Sequence, residues 1–123
     1  MFSIDDVNEM LDEIAAELPA EVFLDLNGGV SLLPETKRSS ADPDGCLYTL
    51  GEYRRDQMGR YIVIYYGSVL AVHGNDTRNE LYVKLKKLLA HELTHHLESL
   101  AGERDLEIED KRELDAYLNG RTQ

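Results

Sequence analysis

The stretch Thr77-Arg78-Asn79-Glu80-Leu81-Tyr82-Val83-Lys84-Leu85-Lys86-Lys87-Leu88-Leu89-Ala90-His91-Glu92-Leu93-Thr94-His95-His96-Leu97-Glu98-Ser99-Leu100 decides how the chain reads. Leu81, Leu85, Leu88 and Leu89 line one side at helical spacing, and Leu93, Leu97 and Leu100 follow. Thr77 with Glu80 three residues on is a capping-box pattern, in which each side chain satisfies an otherwise orphaned backbone donor at a helix start. Neither Pro nor Gly interrupts the run before Gly102, which suits a C-terminal cap. One long helix is expected here.

Upstream the pattern changes period. Ile62, Val63, Ile64, Tyr65 and Tyr66 make residues 60–66 the strongest strand in the chain. Val69 to Val72 is read as its continuation after Gly67-Ser68. Val30 to Leu33, closed by Pro34, and Leu47 to Tyr53, broken at Gly51, read as further strands. Arg54 to Gly59 reads as a turn and residues 35–46 as a polar loop. At the N-terminus, Ile4, Val7, Leu11, Ile14 and Leu18 mark an amphipathic helix, with Ser3 and Asp6 as its capping box and Pro19 as its stop. Beyond the long helix, residues 103–110 read as an acidic loop and Lys111 to Leu118 as a short C-terminal helix. Helix, strands, then helices favour an α+β fold in one domain spanning residues 1–123.

The 24 acidic and 13 basic side chains leave a net charge of −11. That balance argues against nucleic acid, whose phosphates need clustered cations, and against an anionic membrane surface. Cys46 stands alone, so neither an intramolecular disulfide nor a cysteine-rich zinc site can form. The opening Met1-Phe2-Ser3-Ile4 has no cationic region and no apolar run, and a soluble cytoplasmic protein is the expectation. Oligomeric state is left open.

The chemistry lies in His91-Glu92-Leu93-Thr94-His95, an H-E-x-x-H pentapeptide. Residues four apart on a helix differ by about 40° around the axis and one turn along it, so both imidazoles reach one cation from a rigid support. Neutral imidazole suits Zn²⁺, which is the expected cofactor. Glu92 points about 100° away from His91 and is the candidate general base.

Around this motif the sequence resembles the minimal zincin-like metallopeptidases, small bacterial proteins of this length. The resemblance runs through Glu17-Leu18-Pro19, Leu26-Asn27-Gly28-Gly29-Val30, Leu47 to Tyr53, Gly59 to Gly67 and His91-Glu92-Leu93-Thr94-His95-His96-Leu97. It implies a zincin-like α+β fold, with an N-terminal helix, a small twisted mixed sheet and a long active-site helix. It also implies zinc-dependent hydrolysis of a peptide or protein substrate. In such enzymes the Glu92 carboxylate takes a proton from the metal-bound water as that water attacks a carbonyl.

The family pattern continues H-x-x-G-x-x-D, with the Asp as third ligand. Here Glu98 stands where the Gly belongs and Ala101 where the Asp belongs. Four inserted residues, about one helical turn, bring Gly102-Glu103-Arg104-Asp105 into that pattern and make Asp105 the aligned ligand. Glu98 shares the helical phase of His91 but stands about 7.5 Å along the axis from the midpoint of the histidines. Glu107, Glu109 and Asp110 remain alternatives. The competing functional reading is a catalytically silent module that binds metal or a protein partner.

Weaker candidates have ordinary roles. His96 reads as structural or exposed, and His73 as a loop residue. Tyr65, Tyr66 and Tyr117 read as packing residues, and Arg54, Arg55 and Arg60 as a basic group pairing with acidic surface. The 60–66 strand would hold an extended peptide by strand addition if it lay at the sheet edge.

Overall fold

The computed structural model describes residues 1–39 and 47–104. Helix α1 covers Ile4–Glu17, and Ala20–Phe23 form a single 3-10 turn. Strands follow at β1 (Gly29–Leu33), β2 (Lys37–Arg38), β3 (Tyr48–Thr49), β4 (Gly51–Asp56) and β5 (Gly59–Tyr65). Helices α2 (Tyr66–His73) and α3 (Arg78–Arg104) complete the order, and the α+β class holds.

Both capping boxes form. Ser3 and Asp6 exchange hydrogen bonds of 2.9 and 3.1 Å, and Thr77 and Glu80 do so at 2.8 and 3.2 Å. Helix α3 does not stop at Gly102 but runs to Arg104. The acidic loop is therefore helical over its first two residues, and the expected helix at 111–118 lies outside the described residues.

The main sheet is mixed, in the order β1-β5-β4, with β1 parallel and β4 antiparallel to β5. This corrects one expectation. The 60–66 strand is the centre of the sheet, and its continuous apolar run is explained by burial on both faces. Among the described residues the edges are β1 and β4, and β4 extends to Asp56, so it takes in half of the expected turn.

Val69 to Val72 do not continue the strand; they belong to α2. The sheet ends at Tyr65, and Gly67 lies so close to Thr36 and the Glu35 carbonyl that a Cβ there would collide. The Gly67 amide donates to the Glu35 carbonyl, and the Ser68 hydroxyl bridges the Lys37 backbone. Tertiary contact here overrides the strand preference of valine. Residues 35–46, expected as loop, contain β2, which pairs with β3.

The core joins one face each of α1, α3 and the sheet. Val7, Met10 and Ile14 meet Ile62, Ile64, Leu81, Leu85, Leu89 and Leu93, all essentially inaccessible to solvent. This packing sets the roll of α3, and with it which side chains face the edge strand. Among the described residues no helix is long and apolar enough to cross a membrane.

Candidate functional site

A cleft of about 680 Å³ opens between α3 and β4. Gly51, Glu52 and Tyr53 line it from the strand, and His91, Glu92, His95, Glu98 and Ser99 from the helix. The motif histidines are exposed and stand edge to face, with ring centroids 4.6 Å apart and planes at 85°. Their Nε2 atoms are 3.1 Å apart. Two bare lone pairs at that distance repel, so either a shared proton or a cation belongs between them. Two imidazoles bound to one tetrahedral zinc have nitrogens about 3.3 Å apart, given bonds of about 2.0–2.1 Å. The observed spacing fits that donor pair.

Glu92 is only 6% exposed. Burial pushes its carboxyl above the usual carboxylate range. The neighbouring His91 and His95 and a hydrogen bond from the Tyr53 backbone amide pull the other way without cancelling that rise.

The strand geometry explains why this amide is available. The Leu50 carbonyl accepts from the Tyr65 amide at 2.9 Å, so Leu50, Glu52 and Arg54 direct their backbone groups toward β5. Gly51, Tyr53 and Arg55 direct theirs outward. Glu92 takes the outward amide of Tyr53.

His96, four residues after Glu92, is completely buried. Its Nε2 lies 2.7 Å from the Leu24 carbonyl and its Nδ1 2.9 Å from the Tyr53 hydroxyl. Of the two sequence readings, structural or exposed, the structural one holds. The role of Tyr53 was not legible in advance, because nothing local in the sequence places its ring against α3.

On the sheet side of the cleft, Glu52 binds Lys37 and, at 2.8 Å, Arg54. Burial alone would raise its carboxyl, but these two cations outweigh it and hold the group below its ordinary value. The Tyr65 hydroxyl accepts from Arg54 at 2.7 Å and donates to Glu52 at 3.2 Å. The expected basic group is thus divided. Arg54 serves this network, Arg55 reaches Ser99 at 3.5 Å, and Arg60 is buried. Tyr66 donates to the Phe2 carbonyl, and His73 ends α2 rather than sitting in a loop, 3.3 Å from Asp76.

Asp105, Glu107, Glu109 and Asp110 lie outside the described residues, as does Tyr117. Glu98 does line the cleft. Among the described residues, however, no group of three or more His, Cys, Asp or Glu is arranged to hold a metal ion.

No family model matches the chain, and no curated protein matches it. It is similar to a solved structure of the conserved hypothetical protein TTHA0227 from Thermo thermophilus. The two are 31% identical with a TM-score of 0.65, and the match covers 82% of this chain and 99% of the other. The resemblance to the minimal zincin-like metallopeptidases is corrected by these findings. The relative carries no peptidase description, and the described residues lack the three-ligand group that such a family requires. The pentapeptide is five residues long, and its pattern alone does not carry family membership.

Proposed function

The chain belongs to the family of the conserved hypothetical protein TTHA0227, and from that premise we propose that it is a zinc-dependent hydrolase of peptide bonds. His91 and His95 hold the metal, and Glu92 is the base. The observation that carries this reading is the 3.1 Å approach of the two imidazole nitrogens beside a buried carboxylate. When bound, zinc supplies Lewis acidity and brings the pKa of a water toward about 7.

The chain's own residues do the rest. Glu92 accepts a proton from a water in the cleft at a carboxylate oxygen and later returns it to the leaving amine. The outward backbone groups of Gly51 and Arg55 align an extended peptide along β4 by strand addition. The zincin-like reading of the fold belongs to this proposal and rests on the motif helix lying beside a sheet edge. The lone Cys46 suits a reducing cytoplasm.

The test compares wild type with Glu92→Gln and His91→Ala, using zinc content and hydrolysis of a broad peptide library. Glu92→Gln should keep zinc and lose about 10²-fold or more in rate; His91→Ala should lose the metal. Equal rates for wild type and Glu92→Gln would overturn the reading. The two-histidine donor set favours a second reading, a silent metal- or partner-binding module. That reading predicts zinc uptake without cleavage of any library peptide.

A further inference from the structure

Resting on that reading, we propose that Tyr53 and His96 are positioning residues that clamp the edge strand to α3 and thereby aim the Glu92 carboxylate. The direction of each hydrogen bond follows from the chemistry of the atoms. The Leu24 carbonyl can only accept, so His96 Nε2 carries a proton. Nδ1 of the neutral ring is then left with a lone pair, which accepts from the Tyr53 hydroxyl.

Tyr53 therefore touches α3 twice. Its side chain reaches His96, and its backbone amide reaches Glu92. Those two residues are four apart, about one helical turn, so the contacts act as a two-point clamp. Such a clamp matters here because β4 is a sheet edge, with β5 as its only neighbour in the main sheet among the described residues. The far end of the relay is anchored at the Leu24 carbonyl, beside Asp25, which is held at φ 64°.

A phenylalanine at position 53 would keep the ring but leave the lone pair of a fully buried imidazole without a donor. The hydroxyl thus has a function that packing alone does not explain. It fixes both the tautomer of His96 and the distance from strand to helix at Glu92.

The experiment is amide hydrogen exchange by NMR on the full chain, wild type against Tyr53→Phe. The amide of residue 53 faces away from β5, yet it should be protected in the wild type. In Tyr53→Phe it should exchange about tenfold faster, while the ladder amides of residues 52 and 54 change little. With zinc and a cleaved peptide, kcat should fall while KM stays. An unprotected amide at 53 in the wild type, or equal exchange in the variant, overturns the clamp. Should Tyr53→Phe not fold, the nitrogen chemical shifts of His96 in the wild type decide. The Nε2–H tautomer supports the relay, and the Nδ1–H tautomer overturns it. If the exchange results hold while no peptide is cleaved, the clamp stands and the hydrolase reading fails.

Discussion

On the cleft face of α3, His91 and His95 are exposed and meet each other edge to face. About 100° around the same helix, His96 is fully buried between Tyr53 and the Leu24 carbonyl. Residue type is identical; surroundings divide the roles. The exposed pair lines the cleft and is open to solvent. The buried ring has both nitrogens hydrogen-bonded and ties three elements together. Adjacent residues thus meet different surroundings, one the cleft and the other the core.

The contrast can be broken from the core side first. Leu89→Ala, in the fully packed face, should destabilise the protein by about 2–5 kcal/mol in chemical denaturation. A loss under about 1 kcal/mol would mean that this face is loosely packed.

His96→Leu should be of comparable size. It strands the Tyr53 hydroxyl and the Leu24 carbonyl, at about 1–3 kcal/mol for each group left without a partner. Burial also lowers the pKa of His96 below its ordinary 6.5. The folded state then binds fewer protons than the unfolded chain as pH falls through 6.5. The stability this contributes is complete above that pH and is lost as pH drops through the folded-state value. Melting temperatures taken from about pH 8 to about pH 5 should fall more steeply for wild type than for His96→Leu. Parallel curves would sink this assignment.

Ser3→Ala removes one half of the α1 capping box and should cost about 1 kcal/mol in the same denaturation assay. At the small end, His91→Ala in chelator-treated protein should change stability by no more than about 0.5 kcal/mol. A larger loss would show that the cleft face carries structure.

Much of the architecture was legible because it is written in short-range patterns. The capping pairs Ser3/Asp6 and Thr77/Glu80 marked where α1 and α3 begin, and the leucine spacing marked the buried side of α3. The end of α3 was misread, since Gly102 tolerates helix as well as a cap and nothing local forces a stop there. The valines of α2 misled for a different reason. Their strand preference is weak, and the close approach of Gly67 to residues 35 and 36 outweighed it.

At the site, the spacing of His91, Glu92 and His95 placed three groups at one cleft, because helical periodicity is a property of the backbone itself. Tyr53, by contrast, is 43 residues from its partner His96, and no sequence period spans such a gap.

By itself, then, the sequence determined the α+β order, the two long helices and a donor pair one turn apart. Only the tertiary structure decided that β5 lies at the centre of the sheet with β4 at an edge, that Glu92 is buried against the Tyr53 amide, and that His96 faces the core. The physical reason is distance along the chain. Backbone periodicity and caps act within a few residues, whereas edge, burial and hydrogen-bond partner are set by segments that meet only after the core has closed.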